Sequence, residues 1–96
     1  MEFKLFYEMG HSWIEAKLKD VFELKIENEI TNQSRIEGEK IFLDSDFDAR
    51  PFLKRMRNRY PQTEFRIKEI KNCFVGIKDK ERYTHELANR KLELFR

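Results

Sequence analysis

The sequence predicts one α+β domain spanning residues 1–96. An antiparallel sheet of five or six strands, its N-terminal part a meander, packs against two helices near residues 49–59 and 79–95. Three observations lead there. Apolar and polar residues alternate over much of the first thirty positions, the period of a half-buried strand. Residues 49–59 instead place their apolar side chains at helical spacing. Nine Phe, three Tyr and one Trp among 96 residues supply enough bulk for one modest core and argue against disorder.

The elements follow in order. Over residues 2–9, Phe3, Leu5, Tyr7 and Met9 alternate with Glu2, Lys4 and Glu8, and Phe6 breaks the polar side. Gly10-His11 punctuates. Residues 13–19 set Ile14, Ala16 and Leu18 against Glu15, Lys17 and Lys19. Residues 21–27 set Phe22, Leu24 and Ile26 against Glu23, Lys25 and Glu27. Three such segments with short breaks read as a meander. Trp13 and Val21 do not sort with it. A rival reading takes Ser12-Trp13-Ile14-Glu15 as a capping box that opens a helix over residues 12–20. The order then becomes the βαββαβ of a ferredoxin-like fold with a C-terminal helix.

Residues 31–39 are polar and hold Gly38, which reads as a turn or hairpin. Lys40-Ile41-Phe42-Leu43 is a short strand, and Asp44, Asp46 and Asp48 offer N-caps to the helix that follows. Pro51 suits a first turn, and Pro61 stops the helix after Arg59. Ala49, Phe52, Leu53, Met56 and Tyr60 fall within a stripe about 100° wide. Residues 64–70 alternate at first, Lys71-Asn72 fits a two-residue turn, and residues 73–77 fit a buried strand. Asp79 is positioned to cap the last helix.

Charge carries the functional expectation. The formal net charge is +2, but residues 1–48 hold 6 Lys and Arg against 12 Asp and Glu, net −6. Residues 49–96 hold 14 against 6, net +8, and Ala49 to Lys71 alone reaches +6. On the predicted helix, Arg50, Lys54 and Arg57 form one stripe beside the apolar face, and Arg55 and Arg59 form another on the opposite flank. Arginine presents five fixed donors that match phosphate, and neutralising several phosphates yields affinity through counterion release. Arg66 and Lys68 extend the patch, and Tyr60 supplies an aromatic ring for stacking. The expected function is a small non-enzymatic binding module that presents a basic helix to a polyanion, nucleic acid foremost. The blander reading is a solvated helix whose cations pair with the acids of residues 1–48.

An alternative is a protein-interaction or inhibitor module that uses the acidic half. It would act as a homodimer through the apolar C-terminal residues Leu92, Leu94 and Phe95. No catalytic set, cofactor or metal site is expected. Asp44, Asp46 and Asp48 begin with calcium-loop spacing, but positions six and twelve hold Ala49 and Arg55 in place of Gly and Glu. Glu69-Ile70-Lys71, with Asp44 as partner, fits a nuclease template, yet three other Glu-x-Lys triplets fit it equally. His11 and His85 stand far apart in sequence, and the single cysteine, Cys73, reads as a small apolar residue. One cysteine, no basic-then-apolar leader and no long apolar run predict a cytoplasmic protein without a membrane span.

Overall fold

The computed structural model describes residues 1–71 and 76–94. The first two strands, β1 (Glu2–Glu8) and β2 (His11–Lys17), pair antiparallel through a two-residue turn. Met9 and Gly10 both take positive φ there, +48° and +79°. A tight hairpin of the I′ kind requires that backbone because its twist matches the twist of the strands.

The expected third meander strand at 21–27 is absent, and α1 (Leu18–Glu23) occupies its start. Leu18, Val21 and Phe22, spaced i, i+3 and i+4, turn to one side, and Val21 is fully buried. The Val21 that spoiled the alternation is thus the residue that defines the helix. The N–H groups of Lys25 and Ile26 bond the carbonyls of Phe22 and Val21, at 3.0 and 3.2 Å. This is a Schellman end, with Lys25 at φ +59° in the place usually given to glycine. Leu24, Ile26 and Ile30 continue into the core from irregular chain. Residues 12–17 are strand, so the rival helix does not begin at Ser12.

The polar stretch 31–39 forms the first strand and the turn of a hairpin. β3 (Arg35–Glu37) turns through Gly38-Glu39 into β4 (Lys40–Asp44), with Glu37 opposite Lys40. The helix α2 (Ala49–Arg59) has the predicted bounds and buries Ala49, Phe52 and Met56. Asp48 is its N-cap residue but makes no side-chain cap bond. Its fully buried carboxylate instead accepts the Thr31 N–H at 3.0 Å, the Thr31 hydroxyl at 2.8 Å and the Ser34 hydroxyl at 2.5 Å.

After α2 the chain enters β5 (Arg66–Ile70), which pairs parallel with β1. The sheet is therefore mixed where an all-antiparallel one was expected. The reason is the helix itself, since a crossover through α2 returns the chain to the end from which it began. The expected strand at 73–77 lies largely outside the described residues. Ile77 belongs to a 3₁₀ turn, Ile77–Asp79, and is fully buried. Next come β6 (Glu81–Arg82) and α3 (His85–Leu94), so the last helix starts later than predicted. Thr84, not Asp79, caps it by accepting the Leu87 N–H at 3.1 Å.

The described residues form a single α+β domain with three helices and a six-stranded sheet ordered β5-β1-β2-β4-β3-β6. None of the helices is long and apolar enough to cross a membrane. One sheet face carries the main core. There Phe3, Ile14, Ala16, Ile36, Ile41 and Leu43 meet residues of all three helices. Phe3 packs edge-on against Phe52, with ring centres 5.7 Å apart, and stacks on Phe65. The other face holds a smaller cluster of Phe6, Trp13, Phe42 and Ile77, which explains why Phe6 and Trp13 broke the alternation. Glu8 holds the covering chain there by accepting the Gly76 N–H at 2.9 Å.

Three outcomes follow from this packing. Phe52→Ala should cost about 3–5 kcal/mol in denaturant unfolding, as a large buried ring leaves a cavity. Lys25→Gly should raise stability by up to about 1 kcal/mol, because glycine takes the left-handed backbone without a Cβ penalty. Tyr83 donates to the Glu27 carbonyl at 2.6 Å. Burial, aided by the charges of Glu27 and Asp48, pushes its phenol up to about 12 from 10.0. The folded state therefore holds this proton more tightly than the unfolded state. That contribution is complete below the unfolded value and is lost as pH climbs from about 10 through about 12. Melting curves across this range should show a steeper alkaline decline for the native chain than for Tyr83→Phe.

Candidate functional site

The basic helix is built as the spacing suggested. α2 carries five cations and no acid, and Arg50, Lys54, Arg55, Arg57 and Arg59 are all exposed. The two flanks differ in their surroundings. Arg55 Nη2 lies 3.3 Å from Glu29 Oε2, and Arg59 Nη1 donates to the Glu23 carbonyl at 3.4 Å. That flank faces the end of α1 and the loop beyond it. Arg50, Lys54 and Arg57 occupy the other flank, and their side chains make no ion pair among the described residues. Tyr60 follows the helix directly and is 37% exposed.

The acidic half covers little of this charge. Of the six ion pairs among the described residues, only Arg55–Glu29 and Lys80–Glu37 join the first half of the chain to the second. The Arg55–Glu29 pair is about half exposed on both sides. Exposed pairs of this kind contribute about 0–1 kcal/mol, so Arg55→Ala should leave the denaturation midpoint nearly unchanged.

Arg66 and Lys68 do not extend the helical patch on its own side. In the parallel register Phe3 stands opposite Ile67, whereas Glu2 and Lys4 stand opposite Arg66 and Lys68. Phe3 packs on Phe52 of α2, so Arg66 and Lys68 project from the face turned away from that helix. Arg66 is 3.3 Å from the exposed Glu64.

The same register assembles a second cationic surface that sequence reasoning missed. Lys4 stands opposite Lys68, Lys17 opposite Lys40 and Arg35 opposite Arg82. All three pairs lie on the face away from α2, as Lys4 and Phe42 both pair with Glu15 and Arg35 pairs with Phe42. Members of these pairs lie far apart in the chain, so no local pattern announces them. Among the described residues, only Lys40 of the four lysines makes an ion pair, with Glu15 at 3.2 Å. Arg35 is buried and donates to the carbonyls of Asn32, Gln33 and Lys78. Burial first, then the neighbouring Arg82 charge, lowers its pKa.

The other predicted groups are dispersed or occupied. Asp44 Oδ1 accepts the N–H groups of Asp46 and Phe47, and Asp48 is filled by Thr31 and Ser34. Glu69 accepts the Tyr7 hydroxyl at 3.2 Å. Asp44 lies on β4, two strands beyond β1 and on the opposite face, so it does not meet Glu69. His11 stacks on Trp13 and His85 on Phe22. Leu94 is 74% exposed, whereas Leu92 is half-buried and lines a cleft with Lys17, Leu18, Lys19 and Glu39. Phe95 and Cys73 lie outside the described residues.

These features define an α+β domain with cations exposed on a helix flank and on the opposite sheet face. Comparison with protein-family models, with curated proteins and with solved structures finds no match in any of the three.

Proposed function

We propose that this chain is a non-enzymatic binding module that presents α2 to a polyanion, nucleic acid foremost. One observation carries the reading: Arg50, Lys54 and Arg57 form an exposed stripe on a helix with no acid, and make no ion pair among the described residues. Neighbours on one helix face lie about 5–6 Å apart, which lets each cation address a different phosphate. Tyr60 at the end of the helix adds a ring on which a base can stack. A single cysteine suits a reducing compartment, and the cytoplasm is the proposed setting.

The test is titration of labelled DNA and RNA at two salt concentrations. Binding should weaken steeply with salt. The variant Arg50→Glu/Lys54→Glu/Arg57→Glu should lower the log–log salt slope by about 2–3, since each lost phosphate contact removes about 0.7–0.9. If the native chain binds neither nucleic acid at low salt, the reading is wrong.

A further inference from the structure

We infer, resting on the polyanion reading above, that the ligand is a flexible single strand of nucleic acid. It passes round the β5 edge from the free flank of α2 to the opposite sheet face, where Lys4, Lys17, Lys40 and Lys68 hold its phosphates.

The argument begins with register. Like charges directly opposite each other on a sheet destabilise it. Yet Lys4–Lys68 and Lys17–Lys40 are such pairs, side by side on one exposed face. Glu15 stands opposite Lys4 but forms its ion pair with Lys40, Glu37 on the same face engages Lys80, and Glu2 stands opposite Arg66. Lys4, Lys17 and Lys68 make no ion pair among the described residues. The repulsion is relieved when an anion lies across the lysines.

The two cationic surfaces share one border. β5 is an edge strand, bonded only to β1 among the described strands, and α2 packs on β1 through Phe52 and Phe3. Arg55 and Arg59 face the α1 side, which leaves Arg50, Lys54 and Arg57 on the flank toward β5. Crossing from Lys68 to that flank therefore means rounding a single strand. Neighbouring strands are about 4.8 Å apart, so the lysines spread over about 14 Å from β4 to β5, in two rows that lie two residues apart along the strands.

Shape selects the ligand. Duplex DNA has a persistence length near 150 base pairs, so bending it round one strand edge is costly. A single strand makes the turn freely and offers unpaired bases. Tyr7 and Tyr60, 43% and 37% exposed, are available to stack them. Tyr7 lies on the α2 side of the sheet, where its hydroxyl meets Glu69.

The experiment titrates labelled oligothymidine, oligouridine and a duplex of equal length. It uses the native chain, the triple helix variant above and the sheet variant Lys4→Gln/Lys68→Gln. The native chain should bind single strands more tightly than duplex, with the DNA and RNA arms showing which sugar is preferred. Both variants should weaken single-strand binding, and the sheet variant should lower the salt slope by about 1.4, two contacts at about 0.7 each. A separate Lys68→Glu chain places opposite charges across the β1–β5 pair. It should melt at a higher temperature than the native chain yet bind less well, a divergence that a purely structural role would not produce. Equal or tighter binding of duplex overturns the inference. So does a sheet variant that binds like the native chain while the helix variant is weakened, and both results leave the polyanion reading standing. Loss in the sheet variant alone removes the role of α2 and the wrap with it. If the native chain binds no nucleic acid, both readings fall.

Discussion

The buried carboxylate of Asp48 is the constraint on which the arrangement of layers depends. It sits between β4 and α2 and takes hydrogen bonds from both polar groups of Thr31 and from Ser34. Ser34 in turn accepts the Asp44 N–H through its hydroxyl at 2.9 Å, and its carbonyl accepts the Tyr83 N–H at 2.9 Å. Three stretches of chain that are distant in sequence thus meet around one carboxylate and its partner Ser34: the polar loop, the connection from β4 into α2 and the approach to α3. A buried carboxylate without these donors would be costly, and with them it fixes where each stretch can sit. The direction of α2, and with it the placement of its basic flanks, follows from that junction.

The sheet separates charge as well as supporting a core. Its middle strands are covered on both faces at one end, by the helices on one side and by the Phe6, Trp13, Phe42 and Ile77 cluster on the other. At the other end the second face is open and carries lysines from β1, β2, β4 and β5. The near-neutral total of +2 therefore describes no actual surface of the molecule. Glu29 and the Glu23 carbonyl engage one flank of α2, and the other flank makes no ion pair among the described residues.

Local signals were legible in the sequence, and long-range ones were not. α2 could be read to its final residue because the apolar stripe, Pro51 and Pro61 all agree. β1 and β2 follow from alternation, and β4 from the short apolar run Ile41-Phe42-Leu43. α1 was hidden because Leu18, Phe22, Leu24 and Ile26 also satisfy a period of two, and because its C-terminal signal is Lys25 rather than glycine. β3 was hidden by its shortness, since a single core residue, Ile36, gives no period to read. The positions that broke the strand pattern were informative in retrospect. Phe6 and Trp13 mark the second core, and Val21 marks the helix. Of the basic surface, the α2 stripe was visible from spacing. The lysine pairs were not, because only strand register brings Lys4 to Lys68 or Lys17 to Lys40.

The exposed edge strand has one more consequence. β5 presents a row of unpaired backbone groups among the described residues, with Ile67 partly exposed between Arg66 and Lys68. Open edges of this kind template aggregation, and natural sheets guard them with lysine and arginine. The two cations therefore act as gatekeepers as well as electrostatic contacts. Whatever neutralises them, whether a substitution or a sub-stoichiometric ligand, also lowers the barrier to edge-to-edge stacking, so solubility and charge at this strand are set by the same two side chains.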